Sequence, residues 1–197
     1  MLASAGKTAG RGAAMEFLVL GPLEVRDGDG PIPLGGAKQR ALLASLLLHA
    51  NEVVSRDRLI DGLWGGQPPA TAAHTVETYV SRLRRALHDV GSDAALVTRA
   101  PGYLLRVDPQ RLDLTRFGRL AGDGRRALAE ANPELAAELL REALALFRGP
   151  PLDDVAFLCS DVICARRVIR SPRPVLISRR AGCSDALLLA ESLRGKS

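Results

Sequence analysis

Thr75, Thr78, Ser81, Arg82 and Arg85 lie within the stretch HTVETYVSRLRRALH, residues 74–88. Their shared chemistry is hydrogen-bond donation. A hydroxyl can reach a phosphate oxygen or a base edge, and a guanidinium can donate two parallel bonds to guanine. If the stretch is a helix, steps of about 100° per residue put Val76, Val80, Leu83 and Leu87 within about 40° of one line. His74, Thr78, Ser81, Arg82 and Arg85 then fall within about 60° of the opposite line, with Thr75 at its border. Glu77, Tyr79 and Arg84 take the flanks. The polar face carries no carboxylate. A helix lying in a DNA major groove needs that arrangement, because a carboxylate there would face the phosphates. From the helix alone, an ordinary solvated face is the alternative reading.

Several elements must position this helix. EFLVLGPLEVRDGDGPIPLG (16–35) reads as short strands around a Gly21-Pro22 break and an Asp27-Gly28-Asp29-Gly30 turn. GAKQRALLASLLLHANE (36–52) has helical spacing, and Asn51 ends it. Val53-Val54 is a short extended link. Ser55 caps a second helix over 56–66, with Leu59, Ile60, Leu63 and Trp64 set for burial and Gly65-Gly66 as the stop. Pro68-Pro69 leads into the helix at 72–89. GSDAALVTRAPGYLLRVD (91–108) then reads as a hairpin turning at Ala100-Pro101-Gly102. Strands, three helices and a hairpin make a helix-turn-helix with a wing. Arg99 and Arg106 fall on the wing, within reach of a DNA backbone. With Arg82, Arg84 and Arg85 they make five arginines, enough for strongly salt-dependent binding.

From Arg111 to Phe147 the pattern changes to two Ala/Leu-rich helices broken at Asn132-Pro133. Such a pair looks like one unit of a tetratricopeptide-type array. One pair buries its own face poorly, so Leu139, Leu140 and Leu144 are expected to need further partners.

The overall balance excludes several classes. At 47% hydrophobic residues over 197, the chain has enough apolar material for a core. No apolar run approaches the eighteen or so residues of a membrane span. The net charge of +5 is weak evidence for nucleic acid, because residues 158–197, with eight basic against three acidic residues, account for all of it. Cys159, Cys164 and Cys183 share that segment, without metal-ligand or disulfide spacing. A reduced, cytoplasmic protein is the expectation. MLASAGKTAGRGAA (1–14) has no long apolar stretch and reads as a disordered tail, with Met15 as an alternative start. Gly6-Lys7-Thr8 lacks the strand and the earlier glycine of a phosphate-binding loop. No HExxH or GxSxG occurs, and His49, His74 and His88 are dispersed. Neither an enzyme, a cofactor nor a metal site is expected.

LIDGLWGGQPPATAAHTVETYVSRLRRALH followed by LVTRAPGYLLRVD resembles the OmpR-type winged helix of the antibiotic regulatory protein activators (SARPs) of actinobacteria. LDLTRFGRLAGDGRRAL and ELLREALALFRGPPLDDV resemble the start of their bacterial transcriptional activation domain. The likeness covers about residues 15–157, and several motifs follow in the family's order. It implies an activator of a secondary-metabolite (antibiotic) biosynthetic gene cluster that binds direct repeats in double-stranded DNA and engages RNA polymerase holoenzyme. Direct repeats admit an oligomer on DNA. The family's recognition helix matches Ala73 to His88 and its wing matches Thr98 to Val107. Trp64 falls where the family has a core tryptophan, and Tyr103 is expected to pack the wing.

The expected fold is therefore mostly α with small antiparallel sheets: a winged helix-turn-helix (15–108), then a partial tetratricopeptide-like helical domain (109–157). Beyond Leu158 the chain turns Arg-, Ser- and Cys-rich, and Pro172 and Pro174 would break any helix. Residues 158–197 are expected to stand outside the folded activation domain. The expected DNA contacts are His74, Thr75, Thr78, Ser81, Arg82, Arg84, Arg85, Arg99 and Arg106. The competing readings are a protein-interaction module and a truncated regulator that binds DNA without activating.

Overall fold

The computed structural model describes residues 15–27, 30–88 and 95–155. Gly28, Asp29, residues 89–94, the N-terminal stretch 1–14 and the segment from 156 onward, with the expectations placed on them, lie outside the described residues. Two small sheets flank a group of three helices. The first sheet is antiparallel, in the order β1 (Glu16–Leu18), β2 (Glu24–Asp27), β3 (Gly30–Pro31), with Phe17 opposite Val25. Then come α1 (Ala37–Leu48), β4 (Val53–Ser55), α2 (Arg56–Trp64), α3 (Ala72–His88) and the hairpin β5 (Ala95–Arg99) and β6 (Gly102–Arg106). A 3-10 turn at Pro109–Arg111 leads into α4 (Asp113–Ala129) and α5 (Pro133–Ala145).

The helices begin and end for local reasons. The Ser55 hydroxyl accepts the Arg58 N–H at 3.2 Å, capping α2. Asn132 caps α5 by accepting the Leu135 N–H, with Pro133 in the first turn. Helix α1 has no amphipathic pattern to read: every residue from Ala41 to Leu47 is buried, Ser45 included. It is the central element, wrapped by the others. Trp64 packs half-buried against this core, as expected, with Lys38 Nζ 4.4 Å from its ring centroid.

The Val53-Val54 link is a strand in the structure. β4 pairs with β6, so the second sheet runs β4-β6-β5. Three residues cannot hold a strand alone; the pairing with β6, nearly fifty residues on, stabilises it. Gly102 makes the pairing possible, since a Cβ there would stand 1.9 Å from the Val54 carbonyl oxygen.

The segments on either side of the helical pair enter the core of the winged helix. Leu112, Leu152 and Val155 are buried in the same cluster as Phe17, Val19, Leu42 and Leu46. Asp113, the first residue of α4, is 2% exposed. Its carboxylate accepts the Val19 N–H and the Leu20 N–H, each at 2.9 Å. The chain after α5 runs back along the same stretch. Arg148 N–H donates to Leu20 O, Leu152 N–H to Gly21 O, and Leu23 N–H to Asp154 Oδ1. The Arg148 guanidinium holds Pro22 O and Glu24, and Asp154 also pairs with Arg40 of α1. Phe117 meets Phe147 edge-on at 5.3 Å, closing α4 onto this return segment. Within the pair, Leu140 sits over Gly124, where a Cβ would come within 2.9 Å of its Cγ. Leu139 and Leu140 are thus half-buried, whereas Leu128, Leu135 and Leu144 are exposed among the described residues.

Burial pushes the Asp113 carboxyl above its ordinary value, while the Val19 and Leu20 N–H groups and the Arg148 guanidinium pull it down. A raised folded-state value means that the folded protein holds the proton more tightly than the unfolded chain. The pH-dependent stabilisation from Asp113 is therefore full below the unfolded value of about 3.9 and is lost as pH rises through the folded value. Asp113→Asn would turn an NH2 group towards backbone donors. It is expected to cost about 1–3 kcal/mol at neutral pH in a urea unfolding titration. Unchanged stability would show that the carboxylate does not hold the segment 19–20.

Candidate nucleic-acid interface

Helix α3 is fixed by its apolar line. Ala72, Val76, Val80, Leu83 and Leu87 are all buried, against α1, α2 and β5. Burying each leucine or valine stabilises the fold by about 1.5–3 kcal/mol. The line cannot rotate without exposing it, so the opposite face is fixed too. On that face His74, Ser81, Arg82 and Arg85 are exposed. Thr75 and Thr78 are half-buried, and their hydroxyls donate back into the helix, to Thr71 O at 2.9 Å and His74 O at 3.0 Å. Each threonine oxygen keeps its acceptor capacity, but its donor is engaged.

Arg84 departs from the expected role. Its Nε donates to Leu96 O at 2.6 Å and a terminal nitrogen donates to Thr98 Oγ1 at 2.8 Å. Its guanidinium braces the wing against α3 instead of projecting from the polar face. The helical angle had put Arg84 on a flank; only the fold brings β5 to that flank. Arg99 and Arg106 are both exposed on the hairpin, but the structure does not bring them together. Arg99 pairs with Gly102 beside the turn, and Arg106 pairs with Ala95 at the base. Four strand residues separate the two sites, about 13 Å. Side chains alternate across a strand, so Tyr103 and Leu105 face the core, and Arg106 faces the other way. Tyr103 is 4% exposed and packs the wing, as expected. Arg99 thus stands at the tip of the wing and Arg106 at its base.

Arg56 escaped the sequence reading, and so did its pairing with Glu77. The Arg56 N–H donates to Pro101 O at 3.2 Å, tying the start of α2 to the wing turn. Its guanidinium lies 3.2 Å from Glu77 Oε1 on α3. No sequence signal links residues 56, 77 and 101; the sheet pairing of β4 with β6 creates the link. The exposed face of α3, the start of α2 and the wing tip thus form one polar surface, with no exposed large apolar residue on the α3 face. No cluster of metal-ligating groups occurs among the described residues.

Two family models match this chain. Residues 31–105 match "Transcriptional regulatory protein, C terminal", and residues 112–196 match "Bacterial transcriptional activator domain". The chain carries both SARP-family domains. Its homologues are SARP-family regulators, and the winged helix followed by a helical part is the observed fold. The transcriptional regulatory protein MoaR1 of Mycobacterium tuberculosis is 46% identical over 145 residues, 72% of this chain and 47% of that protein. The transcriptional regulator RedD of Streptomyces coelicolor is 32% identical over 188 residues, 93% of this chain and 51% of that protein. The chain spans about half the length of these curated relatives. A solved structure of Mycobacterium tuberculosis EmbR, in complex with a low-affinity phosphopeptide, superimposes with a TM-score of 0.74 at 34% identity. That likeness covers 81% of this chain and 42% of the EmbR chain. The SARP activator-domain match runs to residue 196, past the composition change near Leu158. No helix among the described residues is long and apolar enough to cross a membrane.

The brace role of Arg84 has a specific consequence. Arg84→Ala should speed amide hydrogen exchange in β5 and β6 while leaving α1 protected, at a stability cost of about 1–2 kcal/mol. Unaltered exchange in the hairpin would mean that the wing is held by its core residues alone.

Proposed function

We propose that this chain is a sequence-specific DNA-binding activator of a secondary-metabolite gene cluster. Helix α3 enters the major groove of duplex DNA, and the wing tip approaches the flanking backbone. The single observation behind this reading is the exposed face of His74, Ser81, Arg82 and Arg85, fixed outward by the buried line of the same helix. The donors on that face suit base edges and phosphates. The SARP resemblance supports binding to direct repeats, with more than one copy on the operator, in the bacterial cytoplasm. It also supports engagement of RNA polymerase holoenzyme. The exposed Leu128, Leu135 and Leu144 offer apolar anchors for such a protein contact. A pure protein-interaction role for α3 itself is disfavoured, because its outward face lacks the large apolar anchors that protein interfaces use.

Selection from random duplexes, followed by titration at several salt concentrations, tests this reading. Arg82→Ala or Arg85→Ala should weaken binding to the selected site by about 1–3 kcal/mol where a bidentate base contact is lost. Where the lost contact is to phosphate, all sequences weaken alike and the salt slope falls by about one. A double variant that binds its operator as tightly as the parent removes α3 from the interface.

A further inference from the structure

We propose that Glu77 is a specificity-determining residue of the α3 surface, accepting a hydrogen bond from the exocyclic amino group of a cytosine while Arg56 neutralises its charge. The proposal rests on the DNA-binding reading above. Glu77 stands one turn after His74 and one turn before Ser81, on the flank of α3 that faces α2 and the wing turn. Its Oε1 lies 3.2 Å from an Arg56 nitrogen and its Oε2 lies 4.0 Å from His74 Nδ1. The side chains of Glu77 and Arg56 are 48% and 44% exposed, so a groove edge can reach the carboxylate without displacing the core.

A bare carboxylate at this place would oppose binding, since DNA phosphates repel it. The guanidinium beside it removes that objection. Arg56 is itself anchored, because its N–H donates to Pro101 O and it opens α2 directly after the Ser55 cap. The pair is therefore presented by two elements. Half-exposed ion pairs contribute little to fold stability, so holding the fold together is a poor account of it.

The choice of base follows from the donor and acceptor pattern. An ionised carboxylate only accepts. In the major groove the donors are the amino groups of cytosine and adenine, and adenine sets its N7 acceptor beside its amino group. A carboxylate meets repulsion there and not at cytosine. Glutamine keeps the length and can still accept from Arg56, but it also donates, which matches adenine.

The test is selection from random duplexes with the full chain and with Glu77→Gln and Glu77→Ala, with thermal melts verifying the fold of each. The parent is expected to prefer cytosine at one position of each half-site. Glu77→Gln should move that one position to adenine, and Glu77→Ala should flatten it, changing discrimination there by about tenfold. Identical preferences in parent and Glu77→Gln would overturn the proposal and leave Glu77 as a partner of Arg56 only. Uniform weakening over all sequences would overturn it in favour of a backbone or positioning effect. A parent chain that selects no sequence at all would defeat the DNA-binding reading itself, an outcome distinct from the other two.

Discussion

The carboxylate of Asp113 sits where water does not compete and accepts the backbone N–H groups of Val19 and Leu20. Those two amides lie between β1 and β2 and have no ladder partner of their own. Left bare in a core they would be costly, and a charge buried without donors would be costlier still. Each offsets part of the other's cost, and burial still outweighs the donors at the carboxyl. The same stretch then receives Arg148, Leu152 and Asp154, so the N-terminal sheet is clasped on two sides by the helical domain. Through Arg40 and the apolar cluster this clasp reaches α1, which supports α3. The orientation of the reading surface is therefore tied to the helical domain through shared packing.

That continuity suits the proposed function, in which one surface meets a duplex and another meets a protein partner. Arg84 and Arg56 extend the same logic outwards. Each fixes a wing element to a helix by donating to a carbonyl, one through its side chain and one through its backbone. In Arg84 the wing is set against α3 by a side chain that the sequence reading offered to DNA. The cationic side chains left exposed on the outward surface are fewer and better placed than a count of arginines suggests.

Much of this was legible in the chain. The order of elements, the buried line Val76, Val80, Leu83 and Leu87, the Ser55 cap, the break at Asn132-Pro133 and the burial of Tyr103 all follow from local pattern. What was not legible depends on partners distant in sequence. Val53-Val54 looked like a link because three residues become a strand only when β6 arrives. Arg84 looked like a DNA contact because Leu96 O is invisible at a helix flank. Asp113 carries no signal of its role in the sequence, since its partners lie more than ninety residues earlier. Arg106 was grouped with Arg99 because both fall on the wing; the register leaves them on one face but at opposite ends of the hairpin.

The most direct measurement is backbone amide chemical-shift mapping of the full chain on titration with its selected duplex. The account predicts shifts concentrated at His74, Ser81, Arg82 and Arg85 on α3, at Arg56, and at the wing tip around Arg99 to Gly102, with Leu128, Leu135 and Leu144 unmoved. Shifts centred on α4 and α5, with α3 silent, would contradict it and assign the nucleic-acid or partner surface to the helical pair.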